Sequence, residues 1–213
     1  MTSYEGEHYS GAENPEIELY FERSNNGFDW QPAGDARTVY TGGVSEAAFE
    51  FDTMGNLWAV TRNEDGDASG YGSHVCFAQA ATLGAWECSK TSDPERYDSP
   101  ELFRHGNDIY MVARRDIGGP FGADGSLLNY SLRPKTTAMY RIDQELRRVV
   151  HLFDIPGAGD TAFPSVRRMD AHRFLLANYT SPLDDPERTW IDGQTSEDGT
   201  LIYLTEIQFD GIE

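Results

Sequence analysis

Apolar and polar residues alternate along this chain in short runs, and one arrangement of these runs occurs three times. In residues 98–116, DSPELFRHGNDIYMVARRD, an apolar run leads into a polar turn, and a second apolar run ends in two arginines; residues 45–63 and 164–179 repeat this arrangement. Alternation of this kind is typical of half-buried β-strands, and a Gly/Asn/Asp turn between two such runs predicts a hairpin. A recurring hairpin indicates a repeat architecture.

Further strands extend each hairpin. The first two units are predicted to have four strands each and the third to have three, with additional strands ahead of them. Residues 1–15 are predicted to form a flexible or loosely attached lead-in, and no amphipathic helix is predicted. In chain order the predicted strands are 16–23, 28–31, 37–40; 47–51, 57–62, 74–79, 86–89; 101–104, 109–114, 137–143, 148–154; and 165–169, 173–179, 201–209.

Repeated units of short antiparallel strands predict an all-β fold, a β-propeller of four-stranded antiparallel blades. The alternative is a β-sandwich, which the repeated hairpin disfavours. Residues 16–213 hold about three full blades and part of a fourth, so we expect a partial or truncated six-bladed propeller, or alternatively a five-bladed one. Two connections, 116–135 and 181–200, are long for a compact domain, and loops of that length are commonly functional.

The composition narrows the range of partners. The 213 residues include 36 acidic and 17 basic side chains, which gives a formal net charge of −19. Phosphate binding needs clustered Lys and Arg, so this charge excludes a general nucleic-acid binder and disfavours an anionic membrane surface. No apolar run approaches the roughly 18 residues of a membrane span. The first residues lack a signal peptide, so either the protein is cytoplasmic or its N-terminus lies upstream; we favour an extracellular or periplasmic location.

The two cysteines lie on either side of a predicted turn. Strands around this turn would place Cys76 opposite Cys88, so a disulfide and a reduced buried pair both remain open. A zinc site is not expected, because two thiols with only His74 nearby do not complete a metal shell. The segment 65–67, DGD, resembles part of a calcium loop but lacks the closing Glu of that pattern. No cofactor or metal is therefore expected.

Charged residues recur at one end of the predicted hairpins. In an antiparallel hairpin the start of the first strand lies beside the end of the second, so these residues would share one rim of a propeller. Acids and arginines converging there suit an anionic or sugar-like ligand, since a guanidinium fork binds a carboxylate with two hydrogen bonds. Structural ion pairs between blades are the alternative. The candidates are Glu46 and Arg62; Asp98, Glu101, Arg114 and Arg115; and Asp160, Asn178 and Tyr179.

Several motifs, taken in order, resemble the sialidase (neuraminidase) superfamily of β-propellers, including its bacterial exo-sialidase-like members. Residues 24–30, SNNGFDW, are similar to a degenerate Asp-box, the turn found in the repeats of such blades. Ser45 and Glu46 followed by LWAVTR at 57–62, SPEL at 99–102 followed by Arg114, and GDTAFP at 159–164 followed by NYTS at 178–181 resemble three successive blades. The similarity covers residues 16–207.

The resemblance implies a six-bladed glycoside hydrolase that acts on a terminal acidic sugar. Arg62 and Arg114 would clamp the sugar carboxylate, with Arg115 and Asn178 as further binding residues, and Tyr179 would be the nucleophile. Glu46 or Glu101 would be the base of the tyrosine, and Asp98 or Asp160 the acid/base residue. The sequence departs from the family in lacking its first-blade Arg-Ile-Pro segment and in having Asn25 or Asn26 where the Asp-box has Asp.

Two alternatives remain beside the sialidase-like hydrolase. Five-bladed arabinanase- or furanosidase-like propellers also fit the SPEL blade and use three carboxylates, for which Asp98, Glu101 and Asp160 would be the candidates. A non-catalytic carbohydrate-binding or scaffolding propeller is the other alternative. In each case the expected partner is a carbohydrate or glycoconjugate, together with upstream blades of the same protein that would complete the ring.

Overall fold

A computed structural model describes residues 1–10, 15–119 and 125–210, and its first two sheets come from the N-terminal part of the chain. In sheet I, strand β2 (Ile17–Arg23) pairs antiparallel with three strands, β1 (Thr2–Glu5), β3 (Gln31–Pro32) and β4 (Thr38–Gly42). Sheet II follows the chain order through β5 (Ala47–Phe51), β6 (Leu57–Thr61), β7 (Val75–Ala78) and β8 (Glu87–Cys88).

The remaining strands form two further antiparallel sheets. Sheet III contains β9 (Asp98–His105), β10 (Asp108–Asp116), β11 (Lys135–Asp143) and β12 (Arg148–Ile155), again in chain order. Sheet IV has three strands, β13 (Thr161–Arg168), β14 (Arg173–Thr180) and β15 (Leu201–Gln208). The first strands of sheets I to IV contact one another in succession, β1 with β5, β5 with β9, and β9 with β13. Successive sheets that meet along their first strands are arranged as propeller blades are.

Each sheet packs against the next through an apolar layer. On β10, Ile109, Met111 and Ala113 face a core shared with sheet II, whereas Tyr110 and Val112 face a core shared with sheet IV. Successive side chains of a strand point to opposite faces, so a strand between two neighbouring blades is apolar at consecutive positions. The predicted all-β fold with four-stranded antiparallel sheets is confirmed, and each of its cores lies between two sheets.

The N-terminal segment differs from its prediction. Residues 1–15 were expected to be loosely attached, but β1 pairs with β2 along its whole length, with Tyr4 opposite Leu19. The sequence TSYE is short and polar, so its pattern carries no strand signal and the pairing is decided by the partner strand. Residues 11–14 of this segment lie outside the described residues.

Two short helices occur where no helix was predicted. They are α1 (Leu127–Ser131) and α2 (Trp190–Thr195), one in each long connection, and a 3₁₀ turn covers Ala80–Thr82. The Ser126 side chain caps α1, and a reciprocal capping box of Thr189 and Asp192 begins α2. Helices this short complete too few turns to show a 3.6-residue period, which is why the hydrophobic pattern missed them. Among the described residues, no helix is long and apolar enough to cross a membrane.

The cysteines form a cross-strand pair. Cys76 of β7 lies directly opposite Cys88 of β8, and the two are joined by a disulfide. Cys76 is buried in the core shared by sheets I and II. Of the two states that the sequence left open, the structure has the disulfide, which ties the outermost strand of sheet II to its neighbour.

The outer faces of sheets I and IV are chemically different. On sheet I, the Tyr20 hydroxyl hydrogen-bonds to Glu5 and Glu18 and accepts from Arg37, so this face is a polar network. On sheet IV, Ile202 is 81% exposed and Leu204 65% exposed. Exposed aliphatic side chains on one face are unusual for a surface that meets only water.

Met111 tests the packing between sheets II and III. Replacing it by Ala is expected to lower the free energy of unfolding by about 2–5 kcal/mol, because the side chain is fully buried between two sheets that cannot close the cavity. Met54, which is 76% exposed in the β5–β6 turn, is the matched control, and Met54→Ala should change stability by less than about 0.5 kcal/mol. Equal destabilisation of the two variants in denaturant titrations would contradict the assignment of this core.

Candidate functional site

Loops from successive sheets enclose a cavity of about 570 Å³. The connection after β6 contributes Arg62 and Glu64, and the loop before β9 contributes Arg96. The two long connections, 116–135 and 181–200, meet above it, where backbone N–H of Trp190 donates to the carbonyl of Arg133. Tyr130 of α1 and Trp190 of α2 thereby line the same space. The long connections that the sequence marked as functional therefore form one wall of this cavity.

A buried carboxylate lies beneath the cavity floor. Asp98, the first residue of β9, has one oxygen, Oδ1, 2.8 Å from Nε of Arg62 and 2.9 Å from Nε of Arg96. Nη2 of Arg96 donates to the other oxygen at 3.2 Å. Arg62 also reaches Glu46 at 2.9 Å and Glu64 at 3.1 Å. Two arginines thus share one internal carboxylate, and Arg62 contacts two more.

The surroundings of Asp98 keep it ionised. Burial alone would raise its pKa, but the guanidinium groups of Arg96, Arg62 and Arg114 outweigh burial and hold the pKa of Asp98 well below its usual range. The pKa of Glu64 is likewise lowered, because Arg62 and the Tyr9 hydroxyl offset the effect of burial. Both carboxylates are therefore anionic at neutral pH, and neither is suited to donate a proton.

Arg114 connects this cluster to a second one. It lies near the end of β10, opposite Asp98 in the β9–β10 register. Its Nε donates to the Thr161 carbonyl at 2.6 Å and its Nη1 to the Tyr130 hydroxyl at 2.9 Å. Its Nη2 lies 3.0 Å from Asp160 Oδ1 and 3.2 Å from the Tyr179 hydroxyl. Arg114 therefore bridges sheet III, helix α1 and the entry to sheet IV.

Tyr179 and Asp160 form a close pair. The Tyr179 hydroxyl donates to Asp160 Oδ1 at 2.8 Å, and the amide of Gln194 in α2 donates to Asp160 Oδ2 at 2.6 Å. Burial raises the pKa of Tyr179, although Arg114 acts in the opposite direction, so the phenol is neutral at neutral pH. Tyr179 is half-buried, and the phenol, the carboxylate and the guanidinium of Arg114 meet at one point.

Tyr130 is held from below by a buried lysine. The ammonium of Lys135 lies 4.1 Å from the centre of the Tyr130 ring and donates to the Tyr130 carbonyl at 2.5 Å and to Asp116 at 3.1 Å. The Arg96 guanidinium covers the same ring at 4.4 Å. Burial lowers the pKa of Lys135 to about 8, against the opposing influence of Asp116. Lys135 thereby fixes the C-terminal end of α1 and the aromatic side chain that α1 presents.

The predicted candidates fall into two connected groups. Glu46, Arg62 and Asp98 make the first group, in which Glu46 accepts from the Ser99 backbone N–H at 3.0 Å as well as binding Arg62. Arg114, Asp160 and Tyr179 make the second group. The carboxylate beside Tyr179 is Asp160, whereas Glu46 is engaged by Arg62 and Ser99. Glu46 as the base of Tyr179 stays a prediction that these contacts do not support.

Three other candidates lie elsewhere. Glu101 lines a different cavity with Glu50, where burial raises its pKa, and Arg115 pairs with Asp154 at 2.9 Å on the exposed side of sheet III. Asn178 is buried and donates to Thr137 and Tyr203 on the face opposite Tyr179. Arg115 and Asn178 directly adjoin Arg114 and Tyr179 in sequence and so point to the opposite face of their strands, whereas Glu101 pairs with Val112, beyond a bulge that separates it from Asp98. The structure therefore does not bring these three residues together with Asp98, Arg114 and Tyr179.

Sequence reasoning missed several residues of the site. Arg96 carried one available signal, its position two residues ahead of Asp98. Glu64 follows Arg62 by two in the same way. Tyr130, Gln194 and Lys135 carried none, since the long connections gave no periodicity that could place individual side chains.

The turn after β2 has the hydrogen bonds of a compact side-chain-capped loop. Ser24 Oγ accepts from the backbone N–H groups of Asn26 and Gly27, and Asn26 Oδ1 accepts from those of Phe28 and Asp29. Asn26 is therefore the residue in the position that the Asp-box resemblance assigns to Asp. The turn is exposed, and none of its residues is among those that line the cavity.

The aspartates of the calcium-like segment 65–67 have partners within the protein. Asp67 accepts from the Tyr40 hydroxyl at 2.8 Å and from Ser69, and Asp65 accepts from the Tyr9 backbone N–H at 2.9 Å. Within the described ranges, no group of three or more His, Cys, Asp or Glu side chains is placed to hold a metal ion.

Comparison with known proteins shows the fold. No family model and no curated protein matches the sequence. Among solved structures, phage phi92 endosialidase superposes with a TM-score of 0.57 at 14% identity over 94% of this chain and 32% of that chain. The GH93 α-L-arabinofuranosidase of Fusarium graminearum, in complex with arabinobiose, gives a TM-score of 0.51 at 11% identity over 78% of this chain and 45% of that chain.

A third structure, the Penicillium chrysogenum α-L-arabinanase complexed with arabinobiose, gives a TM-score of 0.51 at 10% identity over 78% and 46% of the two chains. The chain thus spans about a third to a half of the length of these structures. Together with its antiparallel sheets, this likeness makes the chain an all-β protein of the β-propeller class. Endosialidase and arabinan-type enzymes match alike, so the sialidase-like propeller fold is supported without a particular family.

Asp98 is expected to stabilise the fold as well as the site. Asp98→Asn should lower the free energy of unfolding at pH 7 by about 3–5 kcal/mol, because it leaves the buried charges of Arg62 and Arg96 without their carboxylate. The exposed pair of Arg115 and Asp154 supplies the control, and Asp154→Asn should cost no more than about 1 kcal/mol.

The pH dependence of this difference has a defined sign. The pKa of Asp98 is lower in the folded than in the unfolded chain, so its contribution is present above the unfolded value and is lost as the pH falls. The gap between wild type and Asp98→Asn should therefore shrink below about pH 4 in denaturant titrations. A gap that widens on acidification would contradict the ionised state of Asp98.

The lowered pKa of Lys135 predicts that its contribution to stability increases at alkaline pH. Its folded pKa of about 8 lies below the unfolded value, so between about pH 8 and pH 10 the unfolded chain binds the extra proton. Wild-type stability should then rise relative to Lys135→Met, by up to about 1.4 kcal/mol per pH unit. Lys90, the other lysine of the chain, is exposed, and Lys90→Met should leave the pH profile unchanged. Parallel profiles for wild type and Lys135→Met would exclude a depressed pKa.

Proposed function

We propose that this chain binds a carbohydrate in the cavity between its loops and acts as a glycosidase-type propeller. The observation that carries the proposal is the convergence of aromatic rings and charged groups from several sheets on one cavity, with Tyr130 and Trp190 beside Arg62, Arg96 and Glu64. Tyr and Trp present an apolar surface with a polar edge, and a few polar groups around such surfaces orient a ligand. A sugar has both kinds of surface.

The Tyr179–Asp160 pair is the proposed reacting group; it lies beside the cavity lining, to which Arg114 connects it through the Tyr130 hydroxyl. A neutral phenol needs a base to become a nucleophile, and the carboxylate of Asp160 lies within hydrogen-bond distance of the Tyr179 hydroxyl. The guanidinium of Arg114 faces the same phenol oxygen and would stabilise negative charge that develops on it. A tyrosine nucleophile is one of the exceptions to the two-carboxylate scheme of glycosidases.

The sialidase-like and the furanosidase-like versions of this site rely on different residues. A sialidase-like site would use Arg62, Arg96 and Arg114 as a carboxylate clamp; the three arginines do converge, but the carboxylate they surround is Asp98 of the chain itself. A furanosidase-like scheme with Asp98, Glu101 and Asp160 as three cooperating carboxylates loses support, because Glu101 lies in another cavity.

Carbohydrate binding without catalysis is the second candidate. It is favoured by the low pKa values of Asp98 and Glu64, since hydrolysis of a glycoside needs a protonated acid beside the leaving group. The carboxyl groups with raised pKa values, Asp93 and Glu101, line other cavities. An extracellular or periplasmic location accompanies both candidates, and the Cys76–Cys88 disulfide supports it.

Tyr179 separates the two candidates. With 4-methylumbelliferyl glycosides of α-L-arabinofuranose, N-acetylneuraminic acid and xylose, Tyr179→Phe should lower the turnover of any accepted substrate by about a hundredfold or more, since it removes the nucleophilic oxygen. Tyr203, on the neighbouring strand β15, is the matched control, and Tyr203→Phe should retain turnover.

The outcomes are distinct. Turnover that is unaffected in Tyr179→Phe would contradict the assignment of the nucleophile. Folded wild-type protein that hydrolyses none of the glycosides but binds an oligosaccharide in isothermal titration calorimetry is a binding module. Protein that neither hydrolyses nor binds sugars would overturn the proposed function.

A further inference from the structure

The charges around the cavity limit which sugars it can accept. Its lining contains two cationic side chains among the described residues, Arg62 and Arg96, and three carboxylates, Glu64, Asp65 and Asp67. The whole chain carries a formal charge of −19. A ligand that enters the cavity therefore meets more negative than positive charge, before any individual contact is considered.

The guanidinium groups are already engaged. Arg62 directs Nε at Asp98, Nη1 at Glu46 and Nη2 at Glu64. Arg96 directs Nε and Nη2 at Asp98, and its Nη1 donates to the Glu64 carbonyl at 3.3 Å. All three nitrogens of each arginine thus contact acceptors of the protein itself.

Arg114, behind these two, is engaged in the same way by Thr161, Tyr130, Asp160 and Tyr179. The carboxylate at the centre of the arginines is Asp98, which is 1% exposed. An incoming anion would have to share these guanidinium groups with a carboxylate that cannot leave. Two like charges about 6 Å apart repel by roughly 1–3 kcal/mol in a partly buried site.

One carboxylate oxygen beside the cavity, by contrast, lacks a hydrogen-bond donor within the described part of the chain. Asp65 lines the cavity, and its side chain is 6% exposed. Its Oδ2 receives the Tyr9 backbone N–H and lies 3.2 Å from His8 Nδ1, while its Oδ1 has no hydrogen-bond partner among the described residues. A buried carboxylate oxygen without a donor carries a free-energy cost that a ligand hydroxyl can remove.

We propose that the cavity selects uncharged sugars and excludes anionic ones, with Asp65 accepting a sugar hydroxyl and the rings of Tyr71, Tyr130 and Trp190 contacting the sugar face. This inference rests on the proposed carbohydrate function and fixes the class of its ligand. The arginines then serve to hold Asp98 and the loops in place, and the ligand is recognised by carboxylates and aromatic rings.

Matched pairs of probes that differ only in charge test the proposal. Isothermal titration calorimetry of the full chain would compare galactobiose with digalacturonic acid, and the methyl ester of N-acetylneuraminic acid methyl glycoside with the free acid, with arabinobiose as a further uncharged probe. At least one uncharged probe should bind about tenfold or more tightly than its charged counterpart at low salt, and the difference should narrow as ionic strength rises.

Substitutions of residues that line the cavity test which side chains cause the charge selectivity. Asp65→Asn should weaken binding of the uncharged probe by about tenfold, because it replaces a charged acceptor. Glu64→Gln, which removes one negative charge, should strengthen binding of the charged probe several-fold. Asp29, exposed in the turn after β2, provides the matched control, and Asp29→Asn should alter neither affinity. Circular dichroism spectra that match the wild type show that the variants remain folded.

The results distinguish a failure of the proposed charge selectivity from a failure of the proposed carbohydrate function. Equal or tighter binding of the anionic member of a pair would overturn the inference while leaving a carbohydrate site in place. Unchanged affinity in Asp65→Asn would overturn the role of Asp65 as hydroxyl acceptor. Absence of binding by every probe would overturn the proposed function itself, and the selectivity with it.

Discussion

The buried carboxylate of Asp98 is the interaction on which the rest of the site depends. It binds Arg62 from the end of sheet II and Arg96 from the loop that leads into sheet III. A carboxylate with so little exposure stays charged only if cations surround it, and the arginines are equally dependent on it, because an unpaired buried charge is strongly destabilising. The mutual requirement fixes the ends of two sheets relative to each other. Tyr130 extends the connection to Arg114 and thus to sheet IV.

The location of this cluster follows from how the sheets pack. Strands such as β6 and β10 are apolar on both faces, because each sheet lies between two neighbours. Polar side chains can then be placed only near the ends of strands and in the connections. On β10 the change occurs after Ala113, where a break in the β9–β10 register precedes Arg114. The same constraint that builds the cores therefore collects the charged groups at one rim.

Sequence reasoning reached the fold more fully than the site, and the reason is physical. A strand shows alternating apolar and polar residues over four or more positions. The hairpins 45–63, 98–116 and 164–179 could therefore be located from this alternation alone. The pairings of Glu46 with Arg62, Asp160 with Tyr179, and Cys76 with Cys88 follow from hairpin geometry, whereas the contact of Arg114 with Asp160 joins two sheets. Arg115 and Asn178 point away from Arg114 and Tyr179 because successive residues of a strand alternate between faces, and the bulge that separates Glu101 from Asp98 has no signal in the pattern. Tyr130, Lys135 and Gln194 come from connections in which tertiary contacts alone decide the conformation.

The arginines of the site indicate one ligand by their residue type and another by the groups they contact. Arg62, Arg96 and Arg114 converging near a tyrosine have the composition of a clamp for an acidic sugar, and from sequence they cannot be distinguished from one. The structure shows that the anion is already supplied by the chain, as Asp98, with Glu46, Glu64 and Asp160 around it. Four carboxylates against three guanidinium groups leave no positive charge for a ligand to neutralise. Such a cluster offers a ligand a hydrogen-bonded floor, and in the proposed site recognition falls to the aromatic rings and to Asp65.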